Sequence, residues 1–202
     1  IVRPQVRELI DRYGPQVLWC DYGTAEWYFR SNELIAQYFN RAVATASDGV
    51  VVNDRCGDST TRRDYQTVEQ GAGFEQEASG LRSETARTMG ESWGFDQNEP
   101  VSARRSSDDL IDGLASAVAA NSNFLLNIRP TADGSIPTWQ RERLLDIGAW
   151  LRINGAAIHG SRPWSTAAWG DVRFTLGADG SVYAIMLTWP GSELRLPASL
   201  GL

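Results

Sequence analysis

Apolar and polar positions along this chain follow two periods, and the switches between them lay out its elements. Val6, Leu9, Ile10 and Tyr13 recur at helical spacing over residues 3–13, with Pro4 in the first turn and Gly14-Pro15 as the stop. A continuous apolar run, Val17-Leu18-Trp19-Cys20, then ends in Asp21-Tyr22-Gly23. An unbroken run of this length predicts a strand covered on both faces, as in a parallel sheet with helical crossovers. Leu34, Ile35, Tyr38, Phe39, Ala42 and Val43 return to the helical period behind Ser31, a predicted N-cap. Asp48-Gly49 turns the chain into a second buried-type strand, Val50-Val51-Val52, which ends in Asn53-Asp54-Arg55-Cys56-Gly57.

Residues 65–68 read as a third strand with Glu69 at its exit, and 71–100, rich in Gly, Ser and acids, as long loops with an aromatic knot at Trp93-Gly94-Phe95. Ser106 or Ser107 caps a helix carrying Leu110, Ile111, Leu114 and Val118. A strand at 124–128, a turn at Thr131-Ala132-Asp133-Gly134 and an amphipathic helix at 138–154 with Leu144, Leu145, Ile147, Trp150 and Leu151 follow. Beyond Pro163-Trp164 the texture becomes antiparallel, with strands expected at 171–176, 182–188 and 193–196. This predicts an α/β unit over 1–163 and the start of a second, all-β unit over 164–202.

Composition narrows the chemistry. The 202 residues carry a net charge of −6, and 16 of the 25 acids lie in residues 1–100 against 10 arginines. That balance disfavours a nucleic-acid or anionic-membrane surface, and no apolar run of about 18 residues predicts a membrane span. All 19 basic residues are arginine. The absence of lysine excludes a Schiff-base lysine and a lysine-bearing phosphate loop from these residues. His159 is the single imidazole, after a predicted helix, where a structural role fits it best. Cys20 and Cys56 both follow strand-like runs; they are expected as free buried thiols, with adjacency at the two strand ends as the alternative. Acid/base or nucleophilic work in this chain therefore falls to carboxylates, and reactive groups in parallel sheets sit past the carboxyl ends of strands. Asp21 is in that position, where a plain turn cap before Gly23 is the competing reading.

Several stretches together resemble the α-L-fucosidases of glycoside hydrolase family 29. Leu18-Trp19-Cys20-Asp21 is similar to that family's nucleophile strand and Val52-Asn53-Asp54-Arg55 to the next strand end. Thr67-Val68-Glu69 matches the acid/base region, and Met89-Gly90-Glu91-Ser92-Trp93-Gly94-Phe95 the aromatic loop. The most specific stretch is Asn123-Phe124-Leu125-Leu126-Asn127-Ile128, followed by Pro130, Asp133-Gly134 and Ile136-Pro137.

The resemblance implies a partial (β/α) TIM-like barrel followed by a truncated antiparallel β-sandwich-like segment. It implies a retaining glycosidase that removes α-L-fucose from fucosylated oligosaccharides or glycoconjugates, with no metal and no cofactor. By motif position Asp21 is the nucleophile and Glu69 the acid/base, and Trp19, Arg55, Trp93 and Glu84 are substrate-binding candidates. In such an enzyme one carboxylate attacks the anomeric carbon and the other protonates the leaving oxygen, roughly 5–5.5 Å away. For Arg55 the competing role is a surface arginine, and for the two tryptophans plain packing.

Relatives begin with strand–helix units that precede anything seen here and carry histidines that grip fucose. The chain as it stands is thus expected to hold half a barrel, with an open parallel edge that invites a second copy. A lectin-like fucose-binding module and a glycosidase for galactose-like sugars are the other two readings. Relatives commonly act outside the cytoplasm, which leans the expected location to the extracellular space or periplasm.

Overall fold

A computed structural model of the chain describes residues 2–21, 26–45, 49–57, 63–70 and 82–201. The expectations at Tyr22, Gly23, Asp48 and 71–81 lie outside the described residues. The architecture is mixed α/β with small sheets, and the chain separates into two compact units, residues 1–67 with 79–83 and residues 68–78 with 84–202. Among the described residues no helix is long and apolar enough to cross a membrane.

In the first unit, α1 (Val2–Tyr13) ends where Gly14 takes φ +55 and returns its N–H to the Ile10 carbonyl. Strand β1 (Val17–Leu18) follows at once. A short α2 (Glu26–Phe29) precedes α3 (Ser31–Ala44), and β2 (Val51–Val52) pairs in parallel with β1, Val17 opposite Val51 and Leu18 opposite Val52. This is the expected strand–helix–strand crossover. Its core is Ile10, Leu34, Ile35, Tyr38 and Val52, with Cys20 and Cys56 packed against Ile35. Helices α1 and α3 are also stitched at the surface, by Arg3 to Glu33, Arg7 to Gln37 and Arg41 to Asp11.

Two expectations fail here. Ser31 is not the N-cap: Arg30 takes that position in a left-handed conformation (φ 53), because α2 ends directly against α3 and the chain must reverse in one residue. Among the described residues neither β1 nor β2 is covered on both faces, since Val17 in β1 is 53% exposed and Val51 in β2 39%.

Strands β3 (Tyr65–Glu69), β4 (Arg82–Thr88) and β5 (Ser122–Asn127) form a three-stranded sheet in that order. β4 lies where loops were expected. Its buried positions are Ser83, Thr85, Ala86 and Thr88, small and mostly polar, so hydropathy does not mark it as a strand. Such buried hydroxyls need partners, and Thr85 Oγ1 meets Ser122 Oγ at 2.9 Å.

In the second unit α4 (Ser107–Ala119) opens with a reciprocal capping box: Ser106 Oγ accepts from Asp109 N–H, and Asp109 accepts from Ser106 N–H, each at 3.0 Å. Its buried residues are Leu110, as expected, with Gly113, Ala115, Ser116, Ala117 and Ala119, while Ile111, Leu114 and Val118 are half-buried. Small residues suit this face, since a Cβ on Gly113 would come within 2.5 Å of the Arg87 guanidinium. Helix α5 (Thr138–Asn154) has the expected bounds, yet its apolar residues are not its buried ones: Leu145 is 54% and Ile153 85% exposed, while Gln140 is buried.

Strands β6 (Arg162–Trp169), β7 (Val172–Leu176) and β8 (Val182–Met186) form an antiparallel meander. β7 and β8 match the expectation. β6 does not, because Pro163 breaks the strand signal; it is tolerated on an edge strand, next to an irregularity in pairing between Pro163 and Ala168. No strand forms at 193–196.

Asp112 on α4 gives this unit a pH signature. Burial first, then the carboxylates of Asp108, Asp109 and Asp171, push it up to about 6 against the pull of Arg173. A raised acid binds its proton more tightly in the folded state, so its stabilising contribution is present below the ordinary aspartate value of 3.8 and is lost as pH rises through about 6. Asp112→Asn is therefore expected to melt at a higher temperature than the wild type at about pH 7, with the gap closing at about pH 4. Scanning calorimetry across that range checks it.

Candidate active site

β1 and β2 run in parallel register, so the residues after each strand emerge side by side. The buried Asn53 carboxamide splices the two exits: it accepts from the Cys20 N–H at 3.0 Å and donates to the Cys20 carbonyl at 2.8 Å. It thereby continues a two-rung ladder by one more rung. At the same level Cys20 and Cys56 are joined in a disulfide, with Cα atoms 4.8 Å apart. The expectation of free thiols is corrected; the parallel register, invisible across 36 residues of sequence, brings the two strand exits together.

Beyond this splice Asp21 and Arg55 form an ion pair, Nη1 to Oδ1 at 3.2 Å, and the guanidinium lies 5.4 Å from the centroid of the Trp19 ring. Arg55 is also held from behind. Its Nε donates to Thr67 Oγ1 at 2.6 Å, the Thr67 hydroxyl donates to Asp54 Oδ1 at 2.7 Å, and the same oxygen accepts the Thr67 N–H at 3.1 Å. The Asp21 side chain is 73% exposed and that of Arg55 23%. A pair this open contributes only about 0–1 kcal/mol to stability, so its consequence is orientation. An outward carboxylate steered by a fixed guanidinium can act as a nucleophile or stabilise developing positive charge.

The remaining candidates belong to the second unit. Glu69 closes β3 and is exposed; Gln70 after it adopts φ 57 and its carboxamide bonds to the Thr88 hydroxyl at 2.9 Å. Glu84 lies on β4, half-buried. Trp93, in the loop after β4, is 42% exposed, and its carbonyl accepts from Asn127 Nδ2 at 2.8 Å.

That loop rests on a buried ion pair. Arg129 donates to both Glu99 oxygens at 2.6 Å, and Glu99 Oε1 accepts the Glu91 N–H at 3.0 Å. A Cβ on Gly90 would fall 2.1 Å from Glu99 Oε1, so the loop reaches the pair only through a glycine. The hydrogen bonds from Arg129, opposed by burial, hold the Glu99 carboxyl below the usual carboxylate range.

The structure thus unites Asp21, Arg55 and Trp19, and sets Glu69, Glu84 and Trp93 on the β3–β4 stretch and its following loop. Sequence reading missed the supports: the Asn53 carboxamide, the Asp54–Thr67 link, the disulfide, and Glu99 with Arg129. The available signal was the cluster of polar residues at 53–55, which marked a strand exit without saying what each side chain does. Among the described residues no three His, Cys, Asp or Glu side chains are grouped to hold a metal.

Comparison with known proteins places the chain among the glycoside hydrolases. The alpha-L-fucosidase family model matches residues 1–156, and the chain belongs to that family. It is 32% identical to rat tissue alpha-L-fucosidase over 201 residues, covering 93% of this chain and 41% of that protein. It is 34% identical to an alpha-L-fucosidase of Branchiostoma floridae, covering 93% and 43%. Among solved structures it is similar to Thermotoga maritima alpha-fucosidase in complex with fucose, at 33% identity and TM-score 0.79 over 97% of this chain and 45% of the other. The chain spans about two fifths of the length of these curated relatives.

Breaking the buried pair tests its hold on the Trp93 loop. Arg129→Met leaves the Glu99 carboxylate buried without its guanidinium, and a loss of about 3–5 kcal/mol in unfolding free energy is expected. Denaturant titration checks it, with loop order followed by limited proteolysis at 91–97.

Proposed function

We propose that this chain carries the nucleophile half of a retaining α-L-fucosidase that acts on fucosylated oligosaccharides or glycoconjugates. The observation that carries the reading is the Asp21–Arg55 pair at the carboxyl end of β1, inside the stretch matched by the family model. Asp21 attacks the anomeric carbon and Glu69 protonates the departing oxygen, then activates water for the second step. Trp19 and Trp93 offer apolar surface to the sugar ring and its methyl group, Arg55 orients a hydroxyl, and Glu84 is a further contact. The similarity to a fucosidase holding fucose supports this substrate class. The chemistry runs on two carboxylates and calls for no metal or organic cofactor.

The finer architecture is part of the same proposal: residues 1–163 as a segment of a (β/α) barrel and 164–202 as the start of a β-sandwich. The β1–β2 sheet, two strands wide among the described residues, has room for a further strand from a second copy or from more barrel. The Cys20–Cys56 disulfide supports an extracellular or periplasmic setting, where such bonds persist.

The test is hydrolysis of an aryl α-L-fucoside, with mass in solution measured on the same sample. Asp21→Ala is expected to lose turnover while keeping its fold, and undiminished turnover overturns the nucleophile role. Glu69→Ala is expected to slow hydrolysis by about 100-fold or more and to regain rate with azide on an activated aryl fucoside. Wild-type rates without azide move the acid/base role elsewhere. Fucose binding without turnover in the wild type favours the lectin-like reading.

A further inference from the structure

We infer that the Cys20–Cys56 disulfide is a positioning element for the Asp21–Arg55 pair, an inference that rests on the reading of Asp21 as nucleophile. The two cysteines are the chain neighbours of the two functional residues: Cys20 precedes Asp21 and Cys56 follows Arg55. One covalent bond therefore links the backbone beside the carboxylate to the backbone beside its guanidinium.

That link matters because the paired ladder beside it is short among the described residues. β1 and β2 contribute two paired residues each, and the ion pair beyond them is too exposed to define a geometry by its own energy. Asn53 grips the Cys20 peptide, and Thr67 grips Arg55 at Nε, so each partner has its own anchor. The disulfide adds a covalent tie between the two exits to the Asn53 hydrogen bonds, on the far side of Arg55 from Asn53. Both sulfur-bearing residues are buried, Cys20 at 4% exposure and Cys56 at 1%, which suits a permanent staple and not an accessible redox switch.

Without the bond Asn53 still continues the ladder and Ile35 and Val52 still pack, so the unit stays folded while Asp21 drifts relative to Arg55. A displacement of about 1 Å at a reacting group costs about 100-fold in rate. Activity in this chain then depends on oxidative folding through the precision of one ion pair.

The experiment compares the full chain with its Cys20→Ala/Cys56→Ala form. Alkylation and mass spectrometry first verify the bond in the wild type. On an aryl α-L-fucoside, kcat is expected to fall by about 10- to 100-fold with little change in KM. Ile10→Val, a core change in α1 of the same unit, is expected to lower the melting temperature and leave kcat intact. A substrate-free readout accompanies the kinetics: solvent exchange of the Arg55 Nε–H proton by NMR, expected to accelerate in the double variant and not in Ile10→Val. Retained kcat with unchanged exchange overturns the inference, and so does an equal loss of kcat in Ile10→Val. A wild type inactive on the fucoside overturns the fucosidase reading instead, and the Arg55 exchange then decides the positioning role alone.

Discussion

A carboxamide that stands in for backbone is the interaction on which the candidate site depends. Asn53 is wholly buried, and its two polar atoms meet the N–H and C=O of Cys20 just where the β1–β2 ladder runs out of residues. A strand leaving a sheet inside a protein carries peptide groups that must find partners, each costing about 1–3 kcal/mol if stranded. Asn53 supplies both at once. With the two exits aligned in this way, Cys20 meets Cys56, and their chain neighbours, Asp21 just after Cys20 and Arg55 just before Cys56, form the ion pair. The second unit uses the same device: Gln140, buried on α5, accepts from the Arg129 N–H at 2.8 Å and donates to the Arg129 carbonyl at 3.3 Å. In both places a buried amide side chain lets a segment that bears a charged residue of an ion pair, Asp21 in one and Arg129 in the other, leave regular structure without stranded backbone.

The two arginine–carboxylate pairs show how environment divides the same chemistry into different jobs. Arg129 and Glu99 are 2% and 4% exposed, doubly bonded, and Arg129 is stacked against Trp139 with Arg104 on the same ring. Desolvated, with Nη1 and Nη2 of Arg129 each on a carboxylate oxygen, that pair shapes a loop. Arg55 and Asp21 are joined by one longer contact, with the carboxylate open to solvent. A chain without lysine makes both arrangements with guanidinium groups, whose planar fork holds a carboxylate while a second edge bonds elsewhere. Arg55 uses this fully, with Nη1 on Asp21 and Nε on Thr67.

What could be read from the sequence follows from how each element earns its burial. α1 and α5 were legible at both ends and α4 at its cap, because Gly14, Pro137 and Ser106 act locally through backbone conformation and capping. β4 and β6 were not, since Ser, Thr and Ala line the one and Pro163 interrupts the other, and neither presents the alternation that signals a half-buried strand. The apolar stripe of α5 was legible as a pattern but is only partly covered among the described residues, with Leu144 and Leu145 exposed and Ile147, Trp150 and Leu151 half-buried, because periodicity predicts a face and not what covers it. Asp21 stood out because an apolar run stops at a charge. Arg55 needed the family resemblance, and the Cys20–Cys56 bond needed the register, which no local signal encodes.

The uneven exposure of the Asp21–Arg55 pair carries one more step. A nucleophilic carboxylate must give up its water to the incoming sugar, whereas the group that steers it must not move during the exchange. Asp21 projects into solvent from a strand exit held by Asn53 and the disulfide. Arg55 is kept in place by Thr67, whose hydroxyl is fixed in turn by Asp54, and by the Trp19 ring, so its position rests on contacts other than Asp21. The cation is fixed by a hydroxyl, the carboxylate behind that hydroxyl and an aromatic face, and the anion is left open to solvent.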